Sequence, residues 1–491
     1  MPDQQPPDAT RLTHKRQVTR AVLVSTLIVG GCGSDSNSAD GIEGGTTGAS
    51  TASSGARTTE ETTPSSGPTT GSATPADGSG TEATESTAAP ETDDGRAPEE
   101  CAPASPTTPP SGPVDDAIAA MPPDSWLALD NTWMRDVCPD PYNAYFCGSV
   151  IDAWSGAAYD HTRDRMLVYG GGHGDSYYNN IFAFDLAQMS WSRLTELPVG
   201  ADGSSPTEAM RYVALEPCAL YPKVPYEVPE RWLNPNYTIY IDYEHCDEPE
   251  IVDILDYQQP RSSHTYNKNI YDAENDQFCY LGGSYYPGAQ TSPPRVICYQ
   301  FGCGEWRFVA DRPDGSIGRG ASAVDTNGDV WVVGSGNSGF VRYDVRADSW
   351  EAFGNTNGLN GTADIDTARN QLVQLDGSPD NIMRSFDLNA PSSVFTEIPV
   401  PANIPVLGPR PGFVYAPMHD RFVAWSGERR IYVWDPEDWT ATVYNPDGDD
   451  PGETAQWGTY GRFRYSPHRN VFVLVNDVEE NVFIYKPPAQ L

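Results

Sequence analysis

Six side chains that could bind a polar ligand or exchange a proton recur at one position of a repeated sequence pattern. Aromatic faces stack on sugar rings, arginine and asparagine neutralise carboxylates, and a tyrosine can donate or accept a proton. A purely structural repeat could have placed valine or alanine at this position. The six residues are Trp154, Tyr266, Arg319, Asn360, Arg410 and Tyr460.

Two histidines accompany this set. His173 follows three glycines in GGGHGDSYYNN, and His264 begins the triplet HTY. Imidazole titrates near neutral pH, which suits it to acid and base chemistry. We predict proton exchange at His173, Tyr266 and Tyr460. The predicted ligand contacts are Trp154, His264, Arg319, Asn360 and Arg410.

Structural roles for the same residues are the alternative. The glycines before His173 could form a tight turn at positive φ. The arginines could satisfy backbone carbonyls, or pair with Glu428 and Asp477 inside a channel. The aromatic residues could simply plug that channel. A binding site and such a network are compatible.

The pattern that carries these residues is a repeat of short apolar runs beginning at residue 157. A tryptophan follows the third run in four copies, at Trp191, Trp306, Trp350 and Trp439, and Phe395 takes its place in one. The second runs are MLVYGG, FCYLGG, VWVVGS, QLVQLDG, FVAWSG and VFVLVN. Short β-rich runs separated by turns predict an all-β fold, a β-propeller built from four-stranded antiparallel sheets.

We predict six blades. Successive candidate positions are about 50 residues apart, except for a first step about twice as long. Residues 201–260 fall in that step, lack a glycine pair and are rich in proline, tyrosine and acids, so we interpret them as an insertion. A degenerate seventh blade is the alternative. The last copy lacks a fourth strand, and we expect an N-terminal strand around Trp126 to complete it, which removes a free sheet edge.

Strand direction predicts that the candidate residues share one end of the central channel. Neighbouring strands are antiparallel, so the starts of first strands and the loops after second strands lie on one face. Polar groups that converge on a concave opening form a binding site by default. His161, His419 and His468 lie in turns that we expect on the opposite face.

The glycine pair after the second strand and the tryptophan of the fourth resemble those of kelch-type propellers, which include the central domain of galactose oxidase. The resemblance runs from about Trp126 to the C-terminus. It implies the propeller fold and leaves the activity open, because propellers carry many functions.

Three functions fit the candidate residues. We predict a non-catalytic head that binds a carbohydrate or other surface ligand. The alternative is a polysaccharide lyase that cleaves a uronate-containing glycan by β-elimination, with arginine and asparagine neutralising the carboxylate. The GGGH turn and the HTY triplet resemble propeller lyases of the ulvan-degrading kind. Their arginine is absent from the next strand, near Gly282, so another blade would have to supply it.

A copper radical oxidase similar to galactose oxidase is the third possibility. The site face carries two tyrosines and two histidines, but the adjacent Tyr-His pair of that family is absent. No cysteine is placed to cross-link a site tyrosine. We therefore expect no metal and no cofactor, and, if the protein is an enzyme, a lyase rather than an oxidase.

The N-terminus has the pattern of a bacterial lipoprotein signal. A basic segment and the short apolar run AVLVSTLIVGG precede Cys32, which we predict as the lipidation site. Residues 1–31 form the predicted signal peptide and 32–113 a disordered tether rich in Ser, Thr, Gly, Pro and Glu. The propeller would occupy 114–491. We expect it at the cell envelope, on the outer membrane or cell surface, with membrane contact through the anchor alone.

The net charge of −37, with 68 acidic residues, argues against nucleic acid as a partner. We expect a monomer that binds a glycan or small molecule. Nine cysteines in an exported chain predict disulfides beyond Cys32. The predicted pairs are Cys138 with Cys147, Cys218 with Cys246, and Cys298 with Cys303. We interpret the acidic stretch NPDGDDPGE as a turn between blades rather than a calcium site.

Overall fold

The protein folds as a six-bladed β-propeller, which confirms the predicted fold class and blade number. The computed structural model describes residues 109–139, 142–172, 175–176, 178–196, 262–285, 296–313 and 319–491. The predicted signal peptide, Cys32, His173 and the predicted insertion at 201–260 lie outside the described residues. So does nearly all of the predicted tether.

Each blade is a small antiparallel sheet whose strands follow one another from the channel outward. Two helices, α1 Pro113–Ala120 and α2 Ala144–Asp152, and strand β1 Ser125–Ala128 precede the first blade. Blade 1 contains β2 Ala157–Asp160, β3 Arg165–Val168, β4 Phe182–Asp185 and β5 Ser190–Arg193. A ribbon of β6 Ser263–His264 and β9 Ser284–Tyr285 accompanies blade 2, which contains β7 Asn269–Asp272, β8 Gln277–Tyr280, β10 Val296–Gln300 and β11 Glu305–Val309.

The remaining blades follow without a long interruption. Blade 3 contains β12 Gly320–Val324, β13 Val330–Gly334, β14 Gly336–Asp344 and β15 Ser349–Gly358. Blade 4 contains β16 Thr362–Asp366, β17 Gln371–Asp376, β18 Ile382–Asp387 and β19 Thr396–Ile398. Blade 5 contains β20 Gly412–Ala416, β21 Arg421–Trp425, β22 Ile431–Trp434 and β23 Ala441–Tyr444. Blade 6 contains β24 Asp447–Gly448, β25 Phe463–Ser466, β26 Val471–Leu474 and β27 Phe483–Lys486.

Strand β1 completes blade 6, as the sequence predicts. It pairs antiparallel with β27, with Trp126 opposite Tyr485, and parallel with β24 on its other side. The Trp126 ring is 2% exposed and packs against Tyr485 at 5.3 Å between ring centroids. The acidic stretch predicted as a turn thus extends this sheet, and the described residues contain no cluster of three acidic, histidine or cysteine side chains able to hold a metal.

The hydrophobic core is divided among the faces between neighbouring blades. A typical interface joins blades 4 and 5, where Val373, Leu375 and Met383 of blade 4 share one apolar cluster with three aromatic rings of blade 5. Among those rings, Phe413 stacks on Phe422 at 4.9 Å and Trp434 crosses Phe413 at 6.2 Å. Because every blade packs on two others, each needs an apolar side chain at nearly every strand position, which accounts for the continuous apolar runs. No helix within the described residues is long and apolar enough to cross a bilayer.

Arginine–aspartate pairs tie the turn between the first two strands of a blade to the next blade. Arg163 of blade 1 reaches Asp276 of blade 2 through two parallel bonds of 2.7 and 2.6 Å. Arg369 of blade 4 holds Asp420 of blade 5 in the same way and lowers the pKa of that carboxyl to about 2. Such forked contacts fix the orientation of the two blades as well as their distance.

The same turn in blade 6 joins the last blade to the first. Arg469 forms an ion pair with Asp164 of blade 1, and the two side chains are 3% and 1% exposed. Asp164 also accepts hydrogen bonds from the hydroxyls of Tyr159 and Ser466. Its backbone lies in the left-handed region, at φ 54°, which aspartate and asparagine tolerate well.

Two disulfides join described cysteines. Cys138 bonds Cys147, as predicted. The predicted Cys298–Cys303 bridge is wrong, because Cys298 bonds Cys279 in the neighbouring strand at a Cα–Cα distance of 4.1 Å. The pairing register explains the error: it sets Cys279 directly opposite Cys298 on one side and Arg307 on the other, while Cys303 lies in the turn.

We expect Asp164→Asn to lower the free energy of unfolding by about 2 kcal/mol, since it removes the buried one of the two carboxylates paired with Arg469, the other being Asp115 at 3.0 Å. The substitution keeps the left-handed backbone and the shape of the side chain. Asp420→Asn is the matched control; the Arg369–Asp420 pair is 29% and 43% exposed, so its loss should cost less than about 1 kcal/mol. Equilibrium denaturation measures both, and equal losses would contradict the expected difference.

Candidate functional site

The six candidate positions occupy equivalent places at the start of the six first strands. Four of them have the left-handed backbone: Trp154, Tyr266, Arg410 and Tyr460 have φ between 48° and 52°. Bulky residues rarely adopt this conformation, which costs on the order of 1 kcal/mol or more, and such strain concentrates at functional sites. Hydrogen bonds maintain it, because the carbonyl of Trp154 accepts from Tyr266 N and that of Arg410 from Tyr460 N.

Tyr460 lies at the centre of this group, which we call the mouth. Its side chain is fully buried, and its ring meets that of Tyr266 edge-on at 5.9 Å. Burial raises the pKa of the Tyr460 hydroxyl. The charge of Asp376 raises it further, whereas the positive charges of Arg410 and Arg319 lower it. The Tyr460 hydroxyl therefore remains protonated at neutral pH.

Several buried polar atoms of the mouth have no hydrogen-bond partner among the described residues. They include the Tyr460 hydroxyl, Arg410 Nε and Asn360 Oδ1. An unmade hydrogen bond in a buried position costs about 1–3 kcal/mol, so native proteins rarely tolerate such groups in a cluster. A ligand could therefore bond three groups of the mouth: the Tyr460 hydroxyl, which donates and accepts, the donor Arg410 Nε and the acceptor Asn360 Oδ1.

An aromatic stack forms one wall of the mouth. Trp154 and Trp457 stack at 4.1 Å with 15° between their planes, and His264 packs against Trp154 at 4.7 Å. Trp457 comes from the connection between blades 5 and 6 and is 37% exposed. Indole faces of this kind suit the apolar face of a sugar ring.

His264 is held in a fixed orientation. Its Nε2 atom lies 2.7 Å from Oδ2 of Asp175, which belongs to the loop after the second strand of blade 1. The histidine is 4% exposed, and its ring meets Tyr266 edge-on at 6.2 Å. A carboxylate that fixes one imidazole nitrogen determines which tautomer the ring adopts.

Asp376 adds a carboxylate beside the arginines of the mouth. Its Oδ1 accepts weakly from Arg410 N at 3.4 Å. Burial raises the pKa of Asp376, and the positive charge of Arg410 acts in the opposite direction. Arg319 is exposed, so the mouth holds one sheltered and one solvent-facing cation.

The channel is closed a short way below the mouth. Asn267 of blade 2 donates to the carbonyl of Ala363 of blade 4, two blades along the ring, at 3.2 Å. Arg464 donates to Asn267 Oδ1 at 3.2 Å and to the carbonyl of Ala157 at 2.7 Å. Gly461 makes room for this guanidinium, because a Cβ there would lie 2.4 Å from Arg464 Nη2. We call this crossing the floor; it separates the mouth from the rest of the channel.

Sequence reasoning and the structure agree on where most candidate residues lie, whereas their roles remain predictions. The rings of Tyr266 and Tyr460 meet, Arg410 bonds Tyr460 through the backbone, and Trp154 and His264 lie side by side in the adjoining wall. His173 lies outside the described residues. Three mouth residues escaped the sequence analysis, namely Trp457, Asp175 and Asp376. Asp175 follows GGGH closely, and its acidic side chain in that loop was the signal that could have identified it.

Neither a protein-family model nor a curated protein matches this chain. Among solved structures, a chain from the crystal structure of a nidogen/laminin complex aligns with 48% of this chain and 90% of its own length. The two are 13% identical over the alignment, with a TM-score of 0.30. A likeness of this extent carries no argument about function, and the kelch-type resemblance stays a prediction.

We expect Tyr460→Phe to leave the free energy of unfolding unchanged or to raise it slightly, because it removes a buried hydroxyl that has no partner. Tyr485→Phe is the matched control. That ring is equally buried, but its hydroxyl bonds Asp124 at 2.9 Å, so its loss should cost about 1 kcal/mol. Denaturant unfolding of both variants provides the measurement; a clear destabilisation by Tyr460→Phe would show that the hydroxyl is already satisfied.

Proposed function

We propose that this protein is a ligand-binding propeller that recognises an acidic carbohydrate at its mouth. The single observation that carries the proposal is the set of buried polar atoms on Tyr460, Arg410 and Asn360 that have no hydrogen-bond partner among the described residues. A structural network would satisfy its own members. A set left unsatisfied in the folded protein favours a ligand that completes it.

The two arginines account for the acidic character of the proposed ligand. A carboxylate matches the planar donors of a guanidinium, and the buried Arg410 Nε has no acceptor among the described residues. Tyr460 remains protonated and can donate to the same carboxylate. The net charge of −37 opposes the approach of any anion, so the attraction for an acidic ligand has to come from the local positive charge of the mouth.

The exposed indole of Trp457 is the reason for proposing that the ligand contains a sugar ring. With Trp154 behind it, Trp457 presents a rigid apolar surface at the edge of the polar cluster. A pyranose ring has both an apolar face and equatorial hydroxyls, so it can stack on this surface while its acidic substituent reaches Arg410.

We also propose that this head stands outside the cytoplasm on a lipid anchor at Cys32. The two described disulfides are consistent with an oxidising compartment. The lipoprotein pattern and the polar tether support the same location. A kelch-type propeller held away from the envelope would meet extracellular glycans.

The second candidate function is a polysaccharide lyase, favoured by the Asp175–His264 pair. An imidazole fixed by a carboxylate can accept a proton, and Tyr266 lies next to it. β-Elimination would move the C5 proton of the uronate to such a base, form the C4–C5 double bond and expel the C4 oxygen, which takes a proton. Arg410 would neutralise the carboxylate as charge develops on it.

Binding is tested with the full-length chain and oligosaccharides of galacturonate, glucuronate and mannuronate by titration calorimetry. We expect binding by at least one of them, and a loss of at least tenfold in affinity for Tyr460→Phe and Arg410→Met. Tyr485→Phe should bind as the unaltered protein does. Neutral oligosaccharides of the same length should bind far more weakly; equal affinity for them, or no binding by any uronate, contradicts the proposal.

Lyase activity is tested on the same oligosaccharides by the ultraviolet absorbance of the unsaturated uronate product. If the second function holds, His264→Ala should abolish the rate and Asp175→Asn should lower it by about tenfold or more. Binding without any rise in absorbance leaves the non-catalytic function as the conclusion.

A further inference from the structure

A second cavity occupies the channel below the floor. Its volume is about 530 Å³, and its walls come from all six blades. The outer rim is formed by turns between first and second strands, so the cavity opens at the end of the channel opposite the mouth. The floor made by Asn267, Arg464 and Ala363 lies between the two.

The wall of this cavity contains one position per blade, four residues after each candidate position of the mouth. Four blades place small or branched apolar side chains there, and two place charges. The six are Ala158, Ile270, Ala323, Asp364, Val414 and Arg464. Opposite charges therefore stand two blades apart, with Val414 of the intervening blade between them.

The two charges act on one another without making direct contact. The positive charge of Arg464 lowers the pKa of Asp364, and the negative charge of Asp364 raises the pKa of Arg464. Within the described residues neither takes part in an ion pair shorter than 4.0 Å. Space between them on the channel axis is therefore available to a third group.

The hydrogen bonds of both side chains fix their positions. The carboxylate of Asp364 accepts from Tyr415 N at 2.8 Å and from Ile365 N at 2.9 Å, which leaves each oxygen a further lone pair. The guanidinium of Arg464 donates through Nε to the carbonyl of Gly461 and through Nη2 to Ala157 and Asn267. No hydrogen bond of its Nη1 is found among the described residues. Both charged groups are thus pre-positioned and incompletely paired.

Neighbouring titratable groups do not supply the missing counter-charges. His161 lines the cavity but is exposed to solvent at its rim. Glu274 and Arg346 stand at the rim and pair with each other at 3.1 Å. Burial raises the pKa of Asp364 and lowers that of Arg464, which shows that each charged form would gain from a partner.

We propose that this cavity binds a small zwitterion, an amino acid or dipeptide, whose carboxylate meets Arg464 and whose ammonium group meets Asp364. The cavity is large enough for a molecule of this size, and the apolar side chains of Ile270 and Val414 would contact its carbon skeleton. The inference does not depend on the proposed function of the mouth, because the floor separates the two sites.

The test is titration calorimetry of the full-length chain with glycine, L-leucine and glycyl-L-leucine. At least one zwitterion should bind, and the preferred length distinguishes an amino acid from a dipeptide. Two blocked forms of the best ligand, its N-acetyl derivative and its methyl ester, should each bind at least tenfold more weakly, since each lacks one of the two charges. These comparisons use the unaltered protein and do not depend on the folding of any variant.

Substitutions then locate the site. Arg464→Met and Asp364→Asn should each weaken binding at least tenfold, with circular dichroism confirming the fold. Arg342→Met is the matched control, because Arg342 pairs with Glu351 on outer strands of blade 3. The proposal is overturned if no zwitterion binds, if a ligand with a single charge binds as tightly, or if folded variants of Asp364 and Arg464 bind as the unaltered chain does.

Discussion

The register between neighbouring blades is the constraint on which both ends of the channel depend. It is fixed where the turn of one blade meets the next, by the forked contact of Arg163 with Asp276, that of Arg369 with Asp420, and the buried pair of Arg469 with Asp164. Small errors of tilt would otherwise accumulate around a ring of six sheets. With the turns fixed, equivalent residues of all first strands come to equivalent heights along the axis, and side chains far apart in sequence can meet at one hydroxyl.

The floor divides this common axis into two chemically different spaces. Asn267 is the exception among the residues that follow the mouth positions, most of which are small. Its amide nitrogen donates to Ala363 of blade 4, and its amide oxygen accepts from Arg464 of blade 6. Above it lie aromatic rings and two arginines, and below it an apolar wall carrying one charge of each sign. A single repeated architecture thus supports two recognition surfaces.

Much of the fold follows from the sequence because the signal is repeated. The glycine-ended second strands fix the blades, and the missing fourth strand of the last copy predicts the pairing of Trp126 with the C-terminal strand. Contacts that occur only once were harder to predict from the sequence. The partner of Cys298 depends on a strand register that composition does not encode, and Trp457 lies in a connection outside the repeat. Asp364 and Arg464 are recognisable only once the structure shows which side of the first strand faces the channel.

The closure of the ring has a consequence for how the molecule comes to be folded. Tyr485 and Asp124, which are hydrogen-bonded beside the closing strand, are separated by 361 positions along the chain. Bringing two such distant points together costs about 5 kcal/mol in chain entropy, and contacts of this separation form slowly. During synthesis the edge of β1 that pairs with β27 therefore stays unpaired until β27 has been made. Loss of β27 would leave that edge unpaired and the circle open, which makes this strand a determinant of whether the propeller assembles or aggregates.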